Sequence, residues 1–378
     1  MDKQQVRAIF SNRWDFPVFC NKRQQVSIPF GCGQGKAGVV KETELYAENC
    51  KFGKNLMKLI AITVGGEETA STQYRLIQYH EFLEENGVQV QYIRRNEINQ
   101  NTVDMVRRAD ALLNQKCLFN NALAKKIIAA AKRVIFDFDD ALWTRPDKPY
   151  SLLTQVRVNT RFKTWLRNSD VVLCANEYLA NYARKFTNKV QVLPMALDMT
   201  QWRPAAPKLG NENTIRIGWT GSPGNLKYLE SLDKVLNELC LRYSNLEVMV
   251  YCGEKPNLTC PFVHVPYSAG SESDFVRCLD IGLLPLEDQD YHRGKSPIKA
   301  IQYLASGVAT VGNIYGATAE ILRAEHSASV DGDWLEKISE LIDNRQKRIA
   351  MTLAGLEHAK NCHNTKNIQK KLLKIITN

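Results

Sequence analysis

The densest chemistry in this chain lies in residues 280–312, DIGLLPLEDQDYHRGKSPIKAIQYLASGVATVG. Arg293, Lys295 and Lys299 bring three cations into one short stretch. Ser296 and Pro297, between them, are favoured residue types for the cap and first position of a helix. Gly307 suits the left-handed stop at its end. Ile298, Ile301, Leu304 and Ala305 fall on one side of that helix, and Lys299 and Gln302 on the other. A helix start carries free N–H groups and a partial positive charge. Cations gathered around it build a site for phosphate, so Arg293, Lys295, Ser296 and Lys299 read as a polyphosphate site.

Two other stretches carry usable groups. In 217–228, IGWTGSPGNLKY, Gly221 and Gly224 allow the backbone to approach a ligand closely. Ser222 adds a hydroxyl, and Lys227 a cation one turn into the next helix. Ordinary strand–helix turns use glycine in the same way. In 134–143, VIFDFDDALW, Asp137, Asp139 and Asp140 stand at a strand end. Clustered carboxylates can bind a metal, serve as nucleophile and acid, or orient hydroxyl groups. The expected use here is an acidic loop facing a cleft and holding a polyol. Residues 33–38 satisfy G-x-G-x-x-G, but no apolar helix follows, so a loop is expected there.

The elements that must position these groups are legible from periodicity. Apolar runs at 57–63, 88–93, 109–114, 134–138, 171–174 and 190–193 alternate with helical patterns at 72–86, 121–132 and 177–186. After a Pro-rich linker at 201–213 the alternation resumes with strands at 214–219, 246–251, 281–286 and 309–312, and a helix over 226–240. Strand–helix alternation implies parallel sheets covered on both faces. The fold class expected is therefore α/β, with two Rossmann-like domains facing each other across a cleft. The first spans 57–200 and the second 214–350, with a C-terminal helix over 351–378. Residues 1–56 lack this pattern and are expected to form a poorly ordered extension. Ligands of open α/β sheets bind beyond the carboxyl ends of the strands, where each of the loops above falls.

Composition narrows the class. The chain has 378 residues, 44% hydrophobic and 24% charged, with ten cysteines and six histidines. No C-x-x-C pair and no histidine cluster suggests a metal site, and reduced thiols are expected. No run is long enough for a membrane span and no signal peptide is read, so a cytoplasmic protein is expected. The net charge of +10 favours anionic partners. Residues 154–168 mix Arg157, Arg161, Lys163 and Arg167 with Phe162, Trp165 and Leu166. They read either as a basic amphipathic helix that touches the inner face of an acidic membrane, or as a domain helix with a solvated basic face. No nucleic-acid motif is present, and nucleic acid is not an expected partner.

Together, these stretches resemble the GT-B glycosyltransferases, specifically retaining enzymes related to family 4. The carrying residues are 217–221 with Lys227, and 280–285 with 293–296, Lys299 and 302–307. Residues 65–69 with Arg75, 137–140 and 193–198 support it. The resemblance implies transfer of a sugar from a nucleotide-diphospho-sugar to a glycan or lipid-linked acceptor in surface polysaccharide or glycan assembly, without cofactor or metal. It places the donor on the second domain and the acceptor on the first. It gives Lys227, Arg293 and Lys295 catalytic roles at the diphosphate, and Gly221, Ser222, Ser296, Lys299 and Gln302 roles in donor binding. Gly65, Gly66, Asp139, Asp140 and Asp290 fall on the acceptor or sugar side. Many relatives carry two glutamates eight positions apart; Gln302 stands at the second and Gly294 near the first. This leaves a catalytically weak, sugar-nucleotide-binding subunit as an alternative. The stretch at 134–143 also resembles the first motif of haloacid-dehalogenase-type phosphatases, with Asp137 as nucleophile and Asp139 as acid.

Overall fold

The computed structural model describes residues 56–146, 148–204, 214–330 and 332–378. The expected extension, apart from Leu56, and the glycine match at 33–38 lie outside the described residues.

The first half is a parallel sheet of β1 (Met57–Thr63), β2 (Val88–Arg94), β3 (Ala111–Gln115), β4 (Val134–Phe138), β5 (Val171–Cys174) and β6 (Val190–Val192), in the order β2-β1-β3-β4-β5-β6. Its helices are α1 (Ala70–Arg75), α2 (His80–Glu85), α3 (Gln100–Arg108), α4 (Asn121–Ala130), α5 (Leu152–Asn168) and α6 (Glu177–Ala183). The second half is a parallel sheet of β7 (Ile215–Thr220), β8 (Leu246–Cys252), β9 (Val263–Pro266), β10 (Ile281–Leu284), β11 (Ala309–Gly312) and β12 (Ser327–Ser329), in the order β12-β11-β10-β7-β8-β9. It carries α7 (Leu226–Glu230), α8 (Asp233–Arg242), α9 (Glu272–Arg277), α10 (Asp290–Gly294), α11 (Ile298–Ala305), α12 (Ala317–Ile321) and α13 (Trp334–Asp343). The chain ends in α14 (Arg345–Cys362) and α15 (Thr365–Thr377). Helices on both faces explain why central strands are apolar without alternation. Every residue of β3 and β4 is buried, polar Asn114, Gln115 and Asp137 included.

Two helical expectations need correction. The helix expected over 72–86 is α1, a 3₁₀ turn at Ile77–Tyr79, and α2. The break falls at Leu76, whose φ of −135° leaves the helical region. The C-terminal helix expected over 351–378 is two helices. His363 leaves helical geometry at a φ of −123°, and the Asn364 side chain accepts from Lys366 N to start α15. The turn sends α15 back to the first sheet. There Ile368, Leu372, Ile375 and Ile376 are buried in one cluster with Leu59, Ala61 and Leu83.

That turn is built on histidine. His363 is 5% exposed. Its Nδ1 lies 2.9 Å from the Met195 carbonyl. His358 lies between His363 and His326, with ring centroids 5.5 and 4.9 Å away. Burial, reinforced by the neighbouring histidine, pushes His326 and His363 down to about 4. A histidine depressed in the folded state keeps its stability above the unfolded value near 6.5 and loses it as pH falls toward 4. His363 alone should cost about 2 kcal/mol of stability by pH 5. Melting curves from pH 7 to pH 5 should show this loss, and His363→Gln should reduce it, leaving the part due to His326. A wild-type melting temperature flat across that window would refute the assignment.

Candidate active site

Around 293–299 the local geometry differs from the expected capping scheme. Helix α11 begins at Ile298 with Pro297 at its cap position, and no side chain caps it. Ser296 Oγ is buried without a partner instead, while its N–H donates to the Asp139 carbonyl at 3.3 Å. The prolyl ring fixes the backbone where a serine cap was expected. Lys295, Ser296 and Lys299 line a cavity with Trp219, Tyr228 and His292. Lys299 Nζ sits 4.8 Å from the Trp219 ring centroid. Gly221 closes this corner: a Cβ there would come 2.2 Å from the Trp219 ring and 2.7 Å from Lys299 Nζ. No side chain but glycine fits that approach.

Electrostatics makes the corner cationic. Burial pushes Lys299 down to about 8, with Lys295 adding to the shift. Burial also lowers Lys295, against the pull of Asp140. Among the described residues no acid forms an ion pair with either. A desolvated cation without a carboxylate partner gains most from an incoming anion. The adjoining wall is rigid: His292 Nε2 lies 3.0 Å from the Tyr228 hydroxyl and its Nδ1 lies 3.0 Å from the Glu287 carbonyl.

The other expected donor-side residues surround this cavity without lining it. Arg293 is exposed and holds Asp288 in a two-point contact of 2.5 and 2.7 Å. Lys227 Nζ lies 4.9 Å from the Tyr228 ring centroid, on the first turn of α7. Ser222 Oγ accepts from Asn225 at 2.8 Å. Asp290, expected on the acceptor or sugar side, is exposed at the start of α10. Gln302 is 2% exposed. Its amide donates to Glu272 at 3.0 Å and to the Tyr74 hydroxyl at 3.4 Å, while Oε1 is buried without a partner. Glu272 also accepts from Thr220 at 2.8 Å. The carboxylate that position 302 lacks is thus present beside it, contributed by α9.

Across the cleft, the three aspartates divide into two roles. Asp137 is buried at 1% exposure in a two-point ion pair with Arg75, itself 2% exposed. Arg75 also donates to the Leu193 carbonyl. Burial raises the Asp137 carboxyl despite Arg75, and nothing can reach it as a substrate would. The phosphatase alternative, which needs Asp137 as an accessible nucleophile, therefore fails. Asp139 and Asp140 share Lys116, at 2.7 and 2.5 Å. Burial works against the Lys116 charge, but the two carboxylates hold its proton well above the usual lysine range. Lys116 pays for this with a φ of +42°, a strained conformation for a side-chain-bearing residue. Gly65 and Gly66 lie on the loop after β1, where Gly66 N donates to Glu68 at 3.0 Å, apart from both cavities.

A second cavity, of about 260 Å³, is lined by Lys116, Asp140, Arg95, Arg145, Tyr150 and Tyr291 among others. Tyr291 and Lys295 stand between the two cavities, the Lys295 ammonium 5.9 Å from the Tyr291 ring centroid. The halves are fastened around this point. Asn176 Nδ2 donates to the Gly294 carbonyl at 3.1 Å, and Glu320 accepts from the N–H groups of Glu177 and Tyr178 at 2.8 and 2.9 Å. Gly294 packs so tightly that a Cβ would come 2.9 Å from Ala141 and from Leu179. Sequence reasoning missed Lys116, Trp219, Glu272, His292, Arg95 and Arg145. Lys116 was findable, because it directly follows the carboxyl end of a central strand. Glu272 was not, since only tertiary packing brings α9 beside α11. Among the described residues no group of His, Cys, Asp and Glu is arranged to hold a metal ion.

No protein-family model matches the sequence, and no curated protein matches it. Solved structures do match. A glycosyltransferase from Rickettsia africae is similar with a TM-score of 0.65 at 13% identity, over 85% of this chain and 98% of that chain. Anabaena HepE, solved in complex with UDP and glucose, gives 0.64 at 11%, over 85% and 99%. Sucrose-phosphate synthase from Thermosynechococcus elongatus gives 0.64 at 11%, over 84% and 98%. At such identities the likeness establishes the architecture: the chain has the GT-B fold.

Proposed function

We propose that this protein is a glycosyltransferase that moves a sugar from a nucleotide-diphospho-sugar to a hydroxyl of a glycan or lipid-linked acceptor. The observation that carries the proposal is the cationic corner of Lys295, Lys299 and the start of α11, facing a cavity in a GT-B cleft. The cavity encloses about 70 Å³. That is below the roughly 300 Å³ at the small end of whole-ligand sites, so it would seat the diphosphate while the rest of the donor lies in the open cleft. Anabaena HepE, similar in fold, was solved with UDP and with UDP-glucose.

Charge develops on the diphosphate as the bond to the sugar breaks. Lys295, Lys299 and the α11 N–H groups would stabilise it there. Lys227 and Arg293 would close from the rim, with Gly221 and Ser222 supplying backbone approach. Gln302, through its free Oε1, would order hydroxyls of the donor together with Glu272. Asp140, held between Lys116 and Lys295, would orient the acceptor hydroxyl with Asp139 behind it. Gly65, Gly66 and Asp290 would border the sugar and acceptor. The same proposal includes retention of configuration, no metal requirement, a role in surface glycan assembly, and a cytoplasmic protein at the membrane face. The Gln302–Glu272 pair favours an active enzyme over a binding-only subunit, because the carboxylate is present from another helix.

The test is thermal stabilisation by UDP-, GDP- and ADP-sugars with and without magnesium, followed by donor hydrolysis or transfer assays. One donor class should stabilise the protein without magnesium. Lys295→Ala should weaken that binding by about 1–3 kcal/mol, the range for a charge-assisted hydrogen bond. Stabilisation without turnover would leave a binding subunit, and no stabilisation by any donor would sink the proposal.

A further inference from the structure

We infer that Glu320 is a positioning residue: standing outside both cavities, it clasps the second half to the first and so fixes the backbone that carries Lys295. This rests on the use of Lys295 at the donor diphosphate proposed above. Glu320 lines neither cavity. Its two carboxylate oxygens each take a backbone N–H of the other half, Oε2 from Glu177 at 2.8 Å and Oε1 from Tyr178 at 2.9 Å. These N–H groups open α6, where the helix itself supplies them no partner. A two-point contact from a carboxylate fixes orientation as well as distance. Asn176, one residue back, joins the same clasp. Its Oδ1 accepts from Leu179 N at 2.9 Å, which caps α6, and its Nδ2 crosses to the Gly294 carbonyl at 3.1 Å.

Each of these contacts lands beside Lys295. Glu320 belongs to α12, and the turn into α12 presses on the backbone in front of that lysine. Gly316 takes a φ of +53° there, and a Cβ on it would run into the Arg293 carbonyl. Only glycine allows both the angle and the approach. On one side of Lys295, Asn176 holds the Gly294 carbonyl; on the other, Ser296 N donates to the Asp139 carbonyl at 3.3 Å. Gly294 is also wedged against Ala141 and Leu179. The residues flanking Lys295 are therefore held by the first half, while its side chain lines the cavity of the second. A lysine is a point charge on a flexible stem, so its backbone anchor decides where the charge falls. Without Glu320 the junction of α6, α10 and α12 loses a charge-assisted contact across the halves, and the anchor of Lys295 loosens with it. The sign of the effect separates positioning from plain electrostatics. By Coulomb's law alone, deleting an acid near an anion site tightens the anion. Deleting an acid that positions the cation loosens it.

Inorganic pyrophosphate is the probe, because it tests the cationic corner without a base or a sugar. Its affinity is measured by calorimetry at pH 7 for wild type, Glu320→Ala, Glu320→Gln and Asn176→Ser, with melting curves and the sugar-nucleotide panel in parallel. Serine at position 176 keeps a cap for α6, leaves the charge unchanged and is too short to reach Gly294. Glu320→Ala should bind pyrophosphate about tenfold more weakly, the loss of one charge-assisted contact. Glu320→Gln, with one acceptor oxygen left, should fall between wild type and Glu320→Ala, and Asn176→Ser should weaken binding in the same direction. Hydrogen exchange should show the amides of 177–178 and 294–296 losing protection together in Glu320→Ala. Pyrophosphate bound as in wild type, or more tightly, by folded Glu320→Ala would overturn the inference, as would wild type that does not bind it. If Glu320→Ala does not fold, Glu320→Gln and Asn176→Ser carry the same test. A sugar nucleotide that stabilises wild type, with equal pyrophosphate affinity in every variant, would overturn the clasp and leave the transferase reading in place. Weaker pyrophosphate binding in the variants, with no sugar nucleotide stabilising wild type, would support the clasp and remove the transferase reading instead.

Discussion

Lys299→Met will weaken donor binding roughly ten- to hundred-fold and at the same time make the unliganded protein more stable at neutral pH. Both effects follow from one placement. Lys299 lies half-buried over Trp219 with no carboxylate ion-paired to it among the described residues, and burial brings it down to about 8. A lysine depressed in the folded state opposes folding wherever it is charged, so stability rises as pH climbs from about 8 to the unfolded value near 10.4. Removing the ammonium relieves that penalty at pH 7. Discounted for its partial exposure to the cavity, the gain is about 1–2 kcal/mol, less roughly 0.5–1 kcal/mol for the lost contact with the Trp219 ring. The donor responds with the opposite sign. A diphosphate beside Lys299 restores its proton, so wild-type affinity should fall as pH rises above about 8 and binding should take up a proton there. Calorimetry in buffers of different ionisation enthalpy reads that proton directly, and the methionine variant should show no uptake. Equal affinity in variant and wild type, or no proton uptake by wild type at pH 8–9, would remove Lys299 from the donor site.

The division between what was legible and what was not follows the range of the interactions. The β7–Gly221–α7 and β10–α11–β11 units could be read because strand periodicity, glycine stops and helix-forming patterns act within a few residues. Their placement at strand carboxyl ends followed from α/β topology alone. The detail inside them could not be read that way. Ser296 was the obvious cap by residue type, yet Pro297 occupies the cap position and Ser296 bonds through its backbone to Asp139 of the other half. Asp137 and Asp139 look alike in sequence, two positions apart. Strand alternation would put both on one face, but β4 ends at Phe138. Asp137 pairs with Arg75 from within the strand while Asp139, beyond its end, meets Lys116; only the first of these partners lay within a stretch already singled out. Gln302 looked like a missing acid until packing put Glu272 against it. Contacts between residues far apart in sequence decide each of these cases, and no local pattern encodes them.

The largest expected stability effect tests the first of those pairings. Arg75→Met leaves Asp137 buried with no counter-charge and the Leu193 carbonyl without its donor. Breaking a buried pair from one side typically costs about 3–5 kcal/mol, because the remaining charge is stranded in low dielectric. Asp137 already has a raised carboxyl from burial even with Arg75 present, so in the variant it would fold only by taking up a proton. Urea unfolding should therefore show a large loss at pH 7 that shrinks as pH is lowered. Arg75→Met/Asp137→Leu should recover most of the stability, since apolar residues of similar volume replace a buried ion pair at little penalty. The double variant also separates structure from chemistry. If the pair only braces the end of β4 behind Asp139 and Asp140, donor stabilisation and any transfer activity should return with the fold. A refolded double variant that binds donor yet has no activity would make Asp137 a participant in the reaction, and the acceptor side of the site would have to be rebuilt around it.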